Sequence, residues 1–470
     1  MKHTIVTRYP FTFLFLLLCG IAVFPSCGKK DTAIPETAKR ITSINLRQAD
    51  STNIDPQDVE VVIGTDSIEI SVPGNISLSA LIPVIVFTGA NITPASGAIQ
   101  DFTQPVKYTI TAADSSKKEY VIKITRRDVL YIGASSRMLA LDTRNGHLLW
   151  KDTLNGDFVY SNPLLHGDVL YAGSGNGYLY AFNARSGQVI WKQWFTDIGI
   201  EGPPTISGNT LYIGSNDDYF TALDVATGQK RWAFLTGGNV SSKSLIYGNK
   251  VIFGSSDGYV YALDTATSNV IWKYNTGGMI VASSPVLSNG VIFIGSRDNH
   301  LHAIDANTGR SKWLFDAGVS MEQAIPAVAN GIVYAAGWFD ILNSSSLSGS
   351  LYALDEQTGQ KKWQALDTLG FSGPLCLDNG VIYISANGGY FYAVNAANGQ
   401  TLWRKNIHPN GAGAAVKHQT VYVGGGGTWH VYALDASTGN EKWKFAIPDL
   451  DTSVPDIGRK KRRKGPFIVL

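Results

Sequence analysis

One short pattern recurs eight times along this chain, and its regular spacing limits the folds that the chain can form. The clearest copy runs from Val291 to Trp313. It contains a β-branched and aromatic run, a Gly-Ser turn, a second alternating run, an Asp-x-x-Thr-Gly turn and a tryptophan. The tryptophans of the eight copies are Trp150, Trp191, Trp232, Trp272, Trp313, Trp363, Trp403 and Trp443. They are 41, 41, 40, 41, 50, 40 and 40 residues apart. A period of about 40 residues with four strand-sized segments predicts a β-propeller.

Alternation of apolar and polar residues divides each copy into four strands, which we call A to D. In the fifth copy these strands are Ser283–Leu287, Val291–Ile294, Leu301–Ile304 and the segment around Trp313. The turn from C to D requires a positive φ, which glycine adopts without a Cβ clash. Seven copies place glycine there, and Ser268 is the exception. A small alanine, such as Ala303, precedes the turn. We expect it to make room for a tryptophan of a neighbouring blade.

The string A-x-D-x-x-T-G-x-x-x-W resembles the tryptophan-docking motif of quinoprotein-type (PQQ-like) β-propellers, and it extends over residues 129–457. This resemblance implies an all-β, eight-bladed ring. The first copy starts at strand B, Val129–Ile132, without a strand A. The segment Thr452–Ile457 aligns with Ser283–Val286, so we expect the C-terminal segment to supply the missing strand of blade one.

The N-terminal residues have the features of a targeting segment. A basic start precedes the apolar run Phe11–Phe24, and Pro-Ser-Cys-Gly follows. This end resembles the cleavage box of bacterial lipoproteins, which implies that Cys27 becomes a lipidated N-terminus. A plain signal peptide and an uncleaved anchor remain alternatives. Residues 28–40 are polar and are predicted to form a tether.

Residues 41–126 contain six short alternating segments separated by turn residues, which predicts a β-sandwich. The phrase GANITPASGAIQDFTQPVKYTITAADSSKKEYVIKI resembles the immunoglobulin-like domains near the N-termini of Bacteroidota surface lipoproteins. Some relatives of these domains belong to glycan-uptake systems. The predicted order is a lipoprotein signal peptide, a tether, an immunoglobulin-like sandwich, an eight-bladed propeller and a basic tail, at residues 1–27, 28–40, 41–126, 127–458 and 459–470.

Composition restricts the possible chemistry. The net charge of +2 gives no case for a nucleic-acid partner, and three cysteines, two of them in the leader, give no disulfide framework. The third, Cys376, is expected to be a small core residue. Resemblance to quinoprotein dehydrogenases implies calcium, PQQ and a catalytic aspartate. Their vicinal cysteine pair has no counterpart in this sequence, so we expect no catalytic residue, cofactor or metal ion.

Departures from the repeat indicate the candidate binding site. The sixth copy is ten residues longer than its neighbours, and the excess falls in its B-to-C loop, Gly337–Ser350. Loops from B to C and connections from D to A share one face of a propeller. The residues predicted to bind on that face are Trp338, Phe339, Asp340, Trp194, Glu322 and Trp429. Aromatic rings beside carboxylates suit sugar stacking or a peptide partner. Alternatively, Trp338 and Phe339 pack against their own loop.

These features favour a non-enzymatic scaffold, lipid-anchored in the outer membrane, that binds a protein of the outer membrane or periplasm. The chain resembles the propeller lipoprotein of the outer-membrane β-barrel assembly machinery, although that protein lacks a sandwich domain. A surface glycan-binding lipoprotein is the alternative, and a PQQ-dependent dehydrogenase is a third hypothesis. The run Arg459–Lys464 is expected to be a solvated tail or to contact anionic lipid.

Overall fold

The computed structural model describes residues 38–49, 54–134, 137–153, 161–337, 349–366, 370–371, 373–409, 413–425, 429–447 and 467–469. Cys27 and most of the predicted tether therefore lie outside the described residues. Within these ranges the chain contains no helix with the length and apolar character that a membrane crossing requires.

The N-terminal domain is a two-sheet sandwich. Its strands are β1 (Arg40–Gln48), β2 (Glu60–Ile63), β3 (Ser67–Val72), β4 (Leu81–Thr88), β5 (Asn91–Thr93), β6 (Val106–Thr111) and β7 (Lys117–Arg126), with a 3-10 turn at Pro56–Asp58. One sheet is β1-β4, and the other has the order β2-β3-β7-β6-β5. Tyr108, Tyr120 and Phe102 are buried between them. The six predicted segments correspond to six of these strands. The three-residue β5 and the parallel pairing of β3 with β7 were not predicted.

The second domain consists of four-stranded antiparallel sheets, which confirms the predicted β-propeller. The described residues form eight such sheets, and we call each one a blade. Blade one contains β8 (Val129–Ala134), β9 (Arg137–Asp142), β10 (Leu148–Thr153) and β39 (Phe467–Val469). The strands of blades two to eight, four to a blade in the order A to D, are β11 (Leu164–His166), β12 (Val169–Gly173), β13 (Tyr178–Asn183), β14 (Val189–Trp194), β15 (Thr205–Ser207), β16 (Thr210–Gly214), β17 (Tyr219–Asp224), β18 (Lys230–Leu235), β19 (Leu245–Tyr247), β20 (Lys250–Gly254), β21 (Tyr259–Asp264), β22 (Val270–Asn275), β23 (Val286–Ser288), β24 (Val291–Gly295), β25 (His300–Asp305), β26 (Ser311–Asp316), β27 (Ala327–Ala329), β28 (Ile332–Ala336), β29 (Leu351–Asp355), β30 (Lys361–Ala365), β31 (Cys376–Asp378), β32 (Val381–Ser385), β33 (Tyr390–Asn395), β34 (Thr401–Asn406), β35 (Ala414–Lys417), β36 (Thr420–Gly425), β37 (His430–Asp435) and β38 (Glu441–Ala446).

The C-terminus supplies strand A of blade one, but the predicted segment was wrong. The strand beside β8 is β39, with Phe467 opposite Gly133 and Val469 opposite Tyr131. The predicted segment, 452–457, lies outside the described residues. The propeller therefore does not end at residue 458, and the basic run 459–464 precedes the closing strand instead of following it. The prediction relied on a Ser-x-Pro match, whereas Phe-Ile-Val is a short run with high strand propensity.

Each tryptophan of the repeat links its blade to the next. Trp150 Nε1 donates to the carbonyl of Ala184 at 2.8 Å, and Trp313 Nε1 donates to that of Glu356 at 3.0 Å. The indole rings cover the turn glycines. A Cβ on Gly359 would lie 2.6 Å from Cε3 of Trp313. Trp443 of blade eight donates to the carbonyl of Thr143 in blade one at 3.0 Å, which closes the ring.

The predicted role of the alanine needs correction. Ala303 lies directly opposite Trp313 of its own blade, and each of the other seven tryptophans has an alanine in the same place. The small side chain therefore makes room beside the tryptophan of the same sheet. The residue that makes room in the neighbouring blade is the turn glycine, because it has no Cβ.

Strand A is the innermost strand of each blade. Strands A of neighbouring blades contact one another, as β23 does with β27 and β31 with β35. Hydrogen bonds also join these segments around the ring. Thr205 Oγ1 donates to the carbonyl of Ser244 at 2.8 Å, and Lys243 N donates to Ser284 Oγ at 2.9 Å. The strands A therefore surround the central channel.

The ring has two different faces. On the turn face, A-to-B and C-to-D turns are joined, as by Ala306 N and the carbonyl of Gly290 at 2.9 Å. On the loop face, B-to-C loops and D-to-A connections are joined. Thr276 N donates to the carbonyl of Gly258 within a blade, and Arg297 N donates to that of Met279 in the blade before it, both at 2.9 Å.

The sandwich is attached to the turn face of blade one through Arg127. Its guanidinium binds Asp142 at 2.7 Å and donates to the carbonyls of Ser71 and Asp58 at 2.9 and 2.6 Å. Asp142 is 0% exposed and Arg127 10%. In four other blades the equivalent aspartate pairs with the basic residue before its own tryptophan; these pairs are Arg231–Asp224, Lys312–Asp305, Lys362–Asp355 and Lys442–Asp435. Blade one has Leu149 there, and Arg127 takes its place.

Candidate binding face

The structure distributes the predicted site residues around the ring. Trp338, Phe339 and Asp340 lie outside the described residues. Trp194 ends β14 of blade two, and its side chain is exposed. Trp429 precedes β37 of blade eight, where it adopts a φ of 52° and its carbonyl accepts a hydrogen bond from Ile447 N at 2.9 Å. These two aromatic residues are therefore in different blades of the same face.

Glu322 does not present its carboxylate at the surface as predicted. It belongs to the connection between blades five and six and is 6% exposed. Its Oε2 lies 3.8 Å from Nε of Arg297. Its carbonyl accepts hydrogen bonds from Ala282 N and Ser283 N at 3.0 and 2.8 Å. Glu322 therefore packs inside the loop face, between two blades.

An apolar patch of which only Trp194 was predicted lies on the loop face. Its residues are at the loop-face ends of strands C and D or in the D-to-A connections of three consecutive blades, and each is 40% to 59% exposed: Trp194, Ile198, Tyr219, Leu235 and Met279. Tyr219 and Leu235 are directly opposite one another on β17 and β18. Exposed large apolar side chains gathered on one face of a domain are typical of an interaction surface. We call this set the apolar patch.

Carboxylates of the neighbouring B-to-C turns hold the loops in place. Asp257 Oδ2 accepts hydrogen bonds from Gly237 N at 2.9 Å and from the Tyr261 hydroxyl at 2.6 Å. Burial, together with this carboxylate, raises the pKa of Tyr261. Asp197, between Trp194 and Ile198, is exposed. The exposed carboxylate of Asp197 therefore lies at one edge of the apolar patch, whereas at Met279 the guanidinium of Arg297 lies 3.7 Å from the sulfur atom.

Blade five contains a buried polar network beside the patch. His302 is buried, with Nε2 3.2 Å from Asp298 Oδ1 and Nδ1 3.2 Å from the Tyr274 hydroxyl. Burial alone would raise the pKa of Asp298, but the hydrogen bond and charge of His302 lower it overall. Asp298 occupies the same turn position as Asp257, so the network is a variant of the repeat. Among the described residues, no cluster of three or more His, Cys, Asp or Glu side chains could hold a metal ion.

Two clefts of the described residues open on the turn face. One, of about 910 Å³, lies between blades six and seven and has neutral walls that include Tyr334 and Asn379. The other, of about 430 Å³, lies where the sandwich meets blades eight and one. Most of its basic residues have acidic partners within the structure, as Arg144 has in Glu60 at 3.4 Å. Neither cleft contains a predicted binding residue.

Cys376 lies on strand A of blade seven and packs partly buried against the core of blades seven and eight. Burial, followed by the charge of Asp378, raises the pKa of its thiol to about 11. The reactive thiolate is therefore disfavoured at neutral pH.

Comparison with known proteins identifies the family of the ring. The family model described as outer membrane protein assembly factor BamB matches residues 134–283, 275–377 and 386–459, which is more than half of the chain. The chain belongs to this family. A second model, described as SGBP, N-terminal, matches residues 41–124. Together the two matches confirm the predicted combination of a PQQ-like propeller with an N-terminal surface-lipoprotein domain.

Solved structures show the same fold at low sequence identity. BamB from Moraxella catarrhalis is 21% identical, with a TM-score of 0.51 over 65% of this chain and 88% of that chain. Quinohemoprotein alcohol dehydrogenase from Comamonas testosteroni is 14% identical, with a TM-score of 0.52 over 67% and 69% of the two chains. Among curated proteins, serine/threonine-protein kinase AfsK of Streptomyces coelicolor is 33% identical over 108 residues, 21% of this chain and 13% of that protein. The two solved structures show the fold alone.

Proposed function

We propose that this protein is a non-enzymatic binding scaffold whose loop face holds a protein partner during outer-membrane protein assembly. The apolar patch is the observation that carries the proposal. Burying a large apolar side chain contributes about 1.5–3 kcal/mol, so covering several of them favours association. Membership of a family described as an outer membrane protein assembly factor supports the assembly role.

The chemistry of the patch restricts the partner. A cluster of aromatic and aliphatic side chains supplies the centre of a typical interface, and charged residues form its rim. The exposed carboxylate of Asp197 lies at the edge of the patch. The partner that fits is a protein surface with an apolar centre and lysine or arginine beside it.

Introduction of negative charge into the patch tests the proposal. We expect the double variant Leu235→Glu, Met279→Glu to lose the partner that co-purifies with the wild type from solubilised outer membranes, because each carboxylate would be desolvated in the interface. Leu314→Glu is the matched control, since Leu314 is 52% exposed on strand D of blade five, outside the patch. The assembly role requires that the recovered partner be a component of barrel assembly. Equal recovery by the double variant and the control contradicts the proposal.

Membrane attachment is a separate part of the proposal. We place the protein at the outer membrane through a lipid on Cys27, as the lipoprotein-like leader suggests. Labelling with a radioactive fatty acid should be lost in Cys27→Ser, with the unlabelled protein recovered in the soluble fraction. Protease treatment of intact cells then decides between the periplasmic side and the surface. Persistent labelling of Cys27→Ser contradicts the assignment.

Glycan capture is the second candidate, because the sandwich matches the family described as SGBP, N-terminal. Glycan-array binding that disappears in Trp338→Ala supports this function. Quinone-dependent oxidation is the third hypothesis, since quinohemoprotein dehydrogenases share the fold. Titration of the purified protein with calcium and PQQ tests it, and saturable binding with a spectral change supports the enzyme.

A further inference from the structure

A single lysine distinguishes blade four at the inner wall of the ring. We compare the position two residues before strand A in blades two to seven. Five of these blades have an uncharged residue there, and blade four has a lysine. The residues at this position are Asn162, Pro203, Lys243, Ser284, Ile325 and Pro374. Since strand A lines the channel and follows the D-to-A connection, Lys243 lies at the loop-face mouth of the channel.

The position and the exposure of Lys243 are those of a side chain in a recess that is open to solvent. Its side chain is exposed, but burial lowers the pKa of its ammonium group. Both properties hold for a group that solvent can reach but that protein surrounds on most sides. The central channel provides such surroundings, whereas a lysine on the outer surface would keep full hydration.

The ammonium of Lys243 has unused hydrogen-bonding capacity. Within the described residues, it has no hydrogen-bond or ion-pair partner. The buried hydroxyl of the next residue, Ser244, also has none. A partly desolvated cation without a counter-charge is unfavourable, and a bound anion relieves that cost.

We propose that Lys243 is a carboxylate-binding subsite, which receives an aspartate or glutamate side chain of the protein partner. The inference rests on the proposed function, because Leu235 of the apolar patch ends β18 and Lys243 lies in the connection that follows it to blade four. A partner that covers Leu235 is thus close to the channel mouth. One ammonium balances the single charge of a carboxylate. A phosphate group, with a charge of about −1.5 to −2, would keep an uncompensated charge in the recess.

The first test observes Lys243 itself. Reductive methylation of the purified protein with ¹³C-formaldehyde gives each lysine an NMR signal and keeps its charge, and Lys243→Arg identifies the signal of interest. Sodium acetate is the probe. We expect a saturable shift of the Lys243 signal with a dissociation constant on the order of 10 mM. We also expect the pH titration of the Lys243 ammonium to have a higher midpoint in acetate. Lys250, on the turn face of the same blade, is the internal control.

Three results would overturn the subsite. The first is that the NMR signal of Lys243 shows no saturable shift up to about 100 mM acetate. The second is that the signal of Lys250 shifts equally, and the third is that phosphate saturates the Lys243 signal but acetate does not.

The second test measures partner binding. Lys243→Met should weaken it about tenfold or more, because a buried charge of the partner loses its counter-charge, whereas Lys243→Arg should keep most of it.

The two proposals fail separately. If the patch variant loses the partner while Lys243→Met retains it, the scaffold function stands and the subsite is wrong. If acetate binds at Lys243 but the patch variant retains the partner, the subsite stands and the proposed docking surface is wrong.

Discussion

Removal of the Arg127 side chain should destabilise the ring far more than removal of an exposed arginine. In Arg127→Ala, Asp142 remains fully buried and loses its counter-charge. Breaking a buried ion pair from one side costs about 3–5 kcal/mol. The carbonyls of Ser71 and Asp58 also lose their donor, so the attachment of the sandwich weakens at the same time.

Urea denaturation followed by tryptophan fluorescence measures this effect. The sandwich contains no tryptophan, so the signal reports on the ring alone. Arg185→Ala is the control, because Arg185 pairs with Asp168 at 2.9 Å with side chains 34% and 66% exposed. Exposed pairs contribute about 0–1 kcal/mol. Hydrogen exchange of β3 should increase in Arg127→Ala and remain unchanged in Arg185→Ala.

A rescue variant separates the two roles of Arg127. Leu149→Lys places a lysine where Lys312 and Lys362 pair with the equivalent aspartates of blades five and six. In the Arg127→Ala background it should restore part of the ring stability without restoring the protection of β3. The reasoning is refuted if Arg127→Ala and Arg185→Ala lower the free energy of unfolding equally.

Two further predictions concern the repeat itself. Ser268 is the one non-glycine residue at the C-to-D turn and adopts a φ of 61°, so Ser268→Gly should raise the free energy of unfolding by about 0.5–1 kcal/mol; a lower urea midpoint would show that the serine side chain is required. Hydrogen bonds from Arg231 and Lys362 lower the pKa values of Asp224 and Asp355 from 3.8 to about 2. Since the folded pKa is the lower one, this stabilisation is present above pH 3.8 and is lost as the pH falls through 2. The urea midpoint should therefore decrease between these values, and Asp224→Asn should flatten the decrease.

The repeat was predictable because its residues act locally. The glycine of the turn, the aspartate before it and the tryptophan recur at fixed spacing, and each has a local structural reason. Gly359 adopts a φ of 72°, Asp355 accepts hydrogen bonds from Gln357 N and Thr358 N at 3.1 and 3.0 Å, and Trp363 donates to the next blade. Such requirements leave a pattern in every copy.

Features that depend on distant parts of the chain were not predictable in this way. In the sequence, Arg127 is indistinguishable from other arginines of a linker. Its role depends on position 149, where blade one has a leucine and four other blades have a basic residue. Strand β39 has three residues, too few to show alternation. The apolar patch is assembled from residues of three blades, and only Trp194 among them departs from the repeat in its own copy. Residues that recur in every copy can be recognised from the sequence, whereas each of these contacts occurs only once.

The two faces of the ring lie at different distances from the point where the chain enters the sandwich. That point is near Lys39, whose carbonyl accepts a hydrogen bond from the Tyr120 hydroxyl at 3.3 Å and whose side chain bonds to Ser116. Strand β7 leads from this end to Arg127, and its ten residues span about 33 Å. The sandwich meets the turn face, so the apolar patch lies on the far side of the ring, about another 20 Å away for strands of six residues. A partner on the loop face would therefore bind at the end of the protein that is remote from Lys39, and under the proposed attachment through Cys27 the sandwich would act as a spacer.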